Sequence, residues 1–185
     1  MDKNNTKLLN QIKDQVSICT KCPLHETRKN AVFGEMDYNA KIMIVGEGPG
    51  ANEDKTGRPF VGRAGKLLDE ILHKYGLSRE DGVFISNIIK CRPPKNRQPK
   101  KPEIEQCLPY LEEQIRLINP KLIILLGLTA VKSYLDTDDQ MKNIRGNIIT
   151  RKTRNIMASY HPAAILRNPN LRSLLEQDIK KVSKL

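Results

Sequence analysis

The chain of 185 residues has no tryptophan and three phenylalanines, so few side chains are available to stack on a flat ligand. It has no long apolar run. The longest is Leu122 to Leu126, far short of the roughly 20 residues a membrane-spanning helix needs. There is no apolar core behind a basic start in Met1-Asp2-Lys3-Asn4-Asn5-Thr6. That argues against a secretory leader and predicts an intracellular, cytoplasmic protein without a membrane partner. Internal repeats and low-complexity tracts are absent. The one proline-rich stretch, Pro93-Pro94 through Pro99 and Pro102, is short and basic and reads as a surface loop, not a domain linker. A single domain over residues 1–185 is expected, long enough to bury a core.

Acid is missing from two long segments. Between Gly82 and Pro102 there is no Asp or Glu, while Lys90, Arg92, Lys95, Arg97, Lys100 and Lys101 are present. Between Gln140 and Leu175 there is again none, against Lys142, Arg145, Arg151, Lys152, Arg154, Arg167 and Arg172. With a net charge of +11, these stretches look like the footprint of a polyanion, with nucleic acid the first candidate.

Cysteine is scarce but patterned. Cys19 and Cys22 form C-x-x-C, and Cys91 and Cys107 follow. In a reducing compartment disulfides are disfavoured. Four thiols with one close pair suit a tetrahedral thiolate site, for zinc or for an iron–sulfur cluster. The residues alone leave both open, beside the plainer reading of four unrelated buried cysteines.

Apolar spacing predicts helices over Thr6 to Ile18, Ala64 to Tyr75 (with Gly76 as its cap), Ile104 to Ile118, Leu128 to Leu135 and Asn170 to Val182. Pro109 falls inside the third and predicts a kink. Strands are predicted at Lys41–Val45, Val83–Ile89, Lys121–Leu126 and Asn155–Ser159. Strands alternating with helices give an α/β fold, a central, mostly parallel four-stranded sheet with helices on both faces. Ligands of such sheets bind beyond the carboxyl ends of the strands. Glu47 and Phe60 follow the first strand, Asn87 ends the second, and Tyr160-His161-Pro162 follows the fourth. Three separate segments thus deliver chemistry to one edge, the pattern expected of an active site.

The same residues carry a resemblance. Cys19-Thr20-Lys21-Cys22-Pro23-Leu24, Gly46-Glu47-Gly48-Pro49-Gly50, Glu53-Asp54, Gly57 to Gly65, Asn87, Lys90-Cys91-Arg92-Pro93-Pro94, Cys107 and His161-Pro162-Ala163-Ala164 occur in an order and spacing similar to the family 4 uracil-DNA glycosylases, the iron–sulfur branch of that superfamily. The resemblance spans Cys19 to about Arg167. It implies a uracil-DNA glycosylase-like fold, a [4Fe-4S] cluster on Cys19, Cys22, Cys91 and Cys107, and excision of uracil from single- and double-stranded DNA. It makes Glu47 and His161 catalytic, and places Gly48, Phe60, Asn87 and His161 against the substrate.

On that reading Phe60 stacks on the base. Asn87 donates to uracil O4 and accepts from N3–H, a pattern cytosine reverses. His161 donates to O2 as charge develops, with help from backbone N–H groups of the Gly46–Gly50 loop. Glu47 orients water or stabilises the cationic sugar. Arg63, Lys90, Arg92 and Arg167 would clamp phosphates. Glu53 and Asp54 read as structural or solvated, and the protein as a monomer. The chain departs from better-known uracil glycosylases at Gly48, where they carry an aspartate, and at Gly50, where they carry a bulky aromatic.

Two rival readings exist. Gly46-x-Gly48-x-x-Ala51 fits a loose dinucleotide fingerprint, but Asn52 to Gly57 reads as continued loop rather than a helix start. The acids near the required distance, Asp69 and Glu70, lie on a helical stretch. A zinc-held nucleic-acid module accounts for the charge and the cysteines but not for the convergence of Glu47, Asn87 and His161.

Overall fold

The computed structural model describes residues 3–35, 37–151 and 153–184. Lys152, counted above in the second basic stretch, and Met1 and Asp2 of the leading segment lie outside them.

Each apolar run predicted as a strand is one. β1 (Ile42–Gly46), β2 (Val83–Asn87), β3 (Leu122–Leu126) and β5 (Arg154–Ser159) run parallel. Their side chains alternate between two cores, as the period of two requires. Met43 and Val45 pack with Phe84, Ile123 and Leu125 under α1 (Lys3–Ser17) and α4 (Lys101–Ile118). Ile42 and Ile44 pack with Ile85, Ile124 and Leu126 under α3 (Arg63–Lys74) and α8 (Arg172–Val182). Both faces are covered, which is why these strands read as unbroken apolar runs.

The sheet has five strands, not the expected four. β4 (Ile148–Arg151) pairs antiparallel with β5 at the edge, giving the order β2-β1-β3-β5-β4. All four β4 residues are exposed, so no buried face marked them in the sequence. Pro109 does not break α4, which is one helix from Lys101 to Ile118. Glu105 and Pro109 are both exposed, so the carbonyl deprived of its partner faces solvent.

A further correction concerns the first loop. Residues 51–56, expected to be loop, form α2 (Ala51–Thr56). Gly50 caps it, Glu53 at the third helical position accepts from the Gly50 N–H at 3.1 Å, and Gly57 ends it at φ 74° with its N–H on the Glu53 carbonyl. That is a G-x-x-E start and a glycine stop, legible by capping rules but hidden by the polarity of the segment.

The other α-helices among the described residues are α5 (Leu128–Leu135), as predicted, α6 (Met141–Ile144) and α7 (Pro162–Arg167). Among the described residues no helix is long and apolar enough to cross a membrane. The chain passes from β1 to β2 on one side and later returns to β3 on the other. The carboxyl ends of β1 and β3 therefore flank a topological switch point, where such sheets open a crevice.

Candidate functional site

A cleft of about 640 Å³ opens at that edge, and Glu47, Gly48, Phe60, Asn87, His161 and Arg167 all line it. The sheet itself places two of its walls. Gly46 and Asn87 are register partners at the ends of β1 and β2. A Cβ on Gly46 would lie 2.6 Å from both Asn87 Oδ1 and Phe60 Cζ, so only glycine lets these groups meet. Asn87 is 2% exposed, and its Oδ1 is the one buried side-chain oxygen or nitrogen without a hydrogen-bond partner among the described residues.

Phe60 is buried and sits at φ 51°, a left-handed conformation that non-glycine residues adopt at a cost of about 1–2 kcal/mol. Its ring stacks on His161, with centroids 5.3 Å apart and planes inclined by 29°. Glu53 fastens the two glycine loops together. Its carboxylate accepts from Gly50 N at 3.1 Å and from Val61 N and Gly62 N at 2.8 Å each. Asp54 similarly accepts from Lys29 N and Asn30 N. Both acids are structural and neither is merely solvated.

His161 caps α7, and its Nδ1 accepts from Ala163 N at 3.1 Å. In the neutral ring that leaves the proton on Nε2, free to be donated. Burial, with Arg167 adding to it, pushes the His161 pKa down to about 4. The imidazole is therefore uncharged at neutral pH. Glu47 is partly exposed on the rim, with its carbonyl held by Ile89 N.

The four cysteines also converge. Cys19 follows α1, Cys22 precedes a short 3-10 turn (Pro23–Glu26), Cys91 follows β2 and Cys107 lies on α4, and all four line one small cavity with Val16, Arg28 and Tyr110. Arg28 donates to Cys91 Sγ at 3.1 Å and Lys90 N to Cys107 Sγ at 3.2 Å. Burial raises the pKa of Cys22 and Cys91 and pushes Cys107 up to about 11. Thiols whose pKa is raised in this way ionise readily only beside a compensating cationic centre, so the donor set fits a thiolate-bound group. Among the described residues, no three His, Cys, Asp or Glu side chains are grouped as a single-ion site.

Lys90 requires a correction. It is 1% exposed and cannot reach a phosphate. Its Nζ donates to Ser86 Oγ at 2.6 Å, to the Asn87 carbonyl at 2.8 Å and to Gln114 Oε1 at 2.8 Å. Burial draws its pKa down to about 8, against the opposing pull of Cys107 and Cys91. This residue ties the cysteine cavity to the strand end that carries Asn87. The polar signal was present in Ser86 and Gln114, but only the fold brings them together.

The acid-free stretches are also less bare than they read. Arg97 forms a two-pronged pair with Glu103, Arg145 pairs with Asp178, Arg154 with Glu112, and Arg172 with Glu70 and Glu176. Glu103 and Glu176 lie within about a turn or two of their arginines and just past the ends of the acid-free stretches, while Asp178, Glu112 and Glu70 come from distant parts of the chain. Arg63 and Arg167 are exposed and, among the described residues, form no ion pair, while Arg92 is half-buried and donates to Asn96 at 2.7 Å.

The sequence pattern described as the uracil DNA glycosylase superfamily matches residues 33–182. A type-4 uracil-DNA glycosylase of Pyrobaculum aerophilum is 44% identical, over 92% of this chain and 91% of its own. The type-4 enzyme of Thermotoga maritima is 45% identical over 95% and 93%. That of Saccharolobus solfataricus is 48% identical over 94% and 84%.

The depressed pKa of His161 makes a direct prediction. Its ring resonances should titrate with a midpoint near 4 in a pH series followed by NMR, and a midpoint near the ordinary 6.5 would contradict the neutral-donor assignment. The linked effect on stability has a definite sign. As pH falls from about 6.5 towards 4 the unfolded chain takes up this proton before the folded one, so folding stability declines across that window.

Proposed function

Because the chain belongs to the uracil DNA glycosylase superfamily, and to its type-4 members, we propose a residue-level account of uracil excision. The protein is a DNA repair enzyme that hydrolyses the bond between uracil N1 and deoxyribose C1′, releasing uracil and leaving an abasic site. The observation that carries the account is the buried, unpartnered Oδ1 of Asn87 at the base of the cleft.

The target base lies inside the stack and must be everted, at a cost of a few kcal/mol. Stacking on Phe60 offsets about 1–3 kcal/mol of this. Asn87 Oδ1 accepts the N3–H of uracil, and the amide nitrogen donates to O4. Cytosine has no N3–H and carries an amino group in place of O4, so it leaves both groups of Asn87 mismatched. Each unpaired buried group costs roughly 1–3 kcal/mol, and a site built for hydrogen bonds rejects a base that cannot make them.

Bond cleavage leaves negative charge on the base and positive charge on the sugar. Nε2–H of His161 donates to O2 as the charge grows, with no proton transferred, and the backbone of Gly48, which lines the same cleft, assists it. A donor aimed at developing charge is worth most in a dry, preorganised site. Glu47, at the rim, serves the cationic sugar by its charge or by holding the attacking water.

Cys19, Cys22, Cys91 and Cys107 would hold a [4Fe-4S] cluster. When bound, such a group supplies a structural cross-link between the end of α1, the loop after β2 and α4, with every protein ligand position filled and none left for substrate. Arg63, Arg92 and Arg167 are the phosphate contacts in this account, which predicts salt-weakened binding to single- and double-stranded DNA. We read the protein as one domain over residues 1–185, a monomer, working in the cytoplasm where its substrate is.

Incubation with an oligonucleotide bearing one uracil, beside matched thymine and hypoxanthine controls, should release uracil alone. His161→Ala should slow release by about 10²- to 10³-fold, and Asn87→Asp should erode the preference for uracil over cytosine. Wild-type rates in either variant would remove the role assigned to that residue. Cys91→Ser should lose visible charge-transfer absorption and melt at lower temperature. A cluster-free variant of normal stability would contradict the structural role.

A further inference from the structure

Arg79 lies in the connection between α3 and β2, outside every motif that marks the cleft, and is 6% exposed. All five of its N–H donors are engaged. Nε and Nη2 donate to Asp69 Oδ1 at 2.9 and 2.7 Å, and Nη1 donates to Glu35 Oε2. The remaining two bonds go to the consecutive carbonyls of Pro59 and Phe60, each at 2.9 Å.

Consecutive carbonyls in an extended chain point in opposite directions. They converge on one guanidinium here because Phe60 is turned into the left-handed region at φ 51°. The planar fork of an arginine can bind both at once, and an ammonium cannot. The Phe60 carbonyl is hemmed in from the other side too, since a Cβ on Gly65 would lie 1.7 Å from its oxygen. Asp69 and Glu35 balance the buried charge and fix the guanidinium in place. Glu35 is itself tethered to β2 through its N–H to the Ile85 carbonyl at 2.9 Å and is paired with Arg58.

We propose that Arg79 is a positioning residue for base excision: by gripping the Pro59 and Phe60 carbonyls it holds the Phe60 ring in the cleft, stacked on His161 and ready to receive a flat base. This deepens the function proposed above and rests on its reading of Phe60 as the stacking platform. Arg79 touches neither the substrate nor the reacting atoms, and its effect reaches them through one backbone conformation. The charge alone does not suffice, because the two carbonyls need two directed donors.

The test is a double-mutant cycle on the full chain, run well below the melting temperature of every variant. Arg79→Lys should lower kcat/KM for a uracil-bearing oligonucleotide by at least about 10-fold in the wild-type background and by less than about 2-fold when Phe60→Ala is already present. Affinity for the abasic product duplex, set by phosphate contacts, should stay unchanged. An equal loss in both backgrounds, or full activity of folded Arg79→Lys, would overturn the proposal. Asp69→Asn, which loosens the anchor and leaves the guanidinium in place, should give the same background dependence in milder form and serves if Arg79→Lys fails to fold. A wild-type chain that releases no uracil would instead defeat the functional reading, a result distinct from failure of the cycle.

Discussion

A buried oxygen without a donor is an unusual thing for a protein to keep. Leaving such an acceptor unmet costs roughly 1–3 kcal/mol, and buried polar groups are otherwise almost always paired. Asn87 Oδ1 is held in that condition by the sheet register that sets Asn87 beside Gly46, and by a glycine whose missing Cβ leaves room for the amide. The rest of the cleft is arranged around this group. A ligand that brings an N–H to it gains the deferred hydrogen bond, and one that brings a lone pair leaves it unmet.

Holding the neighbours of Asn87 in place falls to residues outside the set proposed above to contact the base. Glu53 collects three backbone N–H groups from two loops. Arg79 collects two carbonyls and two carboxylates around one fork. Lys90 binds the Asn87 carbonyl from beneath while its backbone N–H reaches Cys107. The cysteine cavity and Asn87 are therefore joined through one buried residue, and disturbing the thiol site should be felt at β2. Donors and acceptors fixed before the substrate arrives avoid reorganisation during the reaction, which is where electrostatic stabilisation gains most.

Much of this was readable in the residues, and the parts that were not have identifiable causes. The parallel strands were plain because Ile42 to Val45 and Leu122 to Leu126 are buried on both faces. β4 was invisible because Ile148 to Arg151 is exposed on both. α2 was lost to its polarity, although Gly50, Glu53 and Gly57 are a helix start and stop. The convergence of Glu47, Phe60, Asn87 and His161 followed from the rule that strand ends share an edge. Lys90 was misread because a basic residue beside Arg92 looks like surface, and its burial depends on Ser86 and on Gln114, which sits 24 residues away on α4. The acid-free stretches overstated the free charge for a similar reason, since Glu103 stands just past the end of the first one and Glu112 and Asp178 are brought to Arg154 and Arg145 by the fold. Arg79 carried no motif at all, and its importance appears only when the Pro59 and Phe60 carbonyls are seen to share it.

The claim beneath the whole account is that Asn87 Oδ1 waits for the N3–H of an everted uracil. The most direct measurement compares release of uracil with release of N3-methyluracil from otherwise identical oligonucleotides. The methyl group removes the one hydrogen this oxygen needs and leaves the bond to the sugar unchanged. The account predicts rapid loss of uracil and essentially no loss of the methylated base. Comparable release of the two would show that Asn87 does not read the base through this contact.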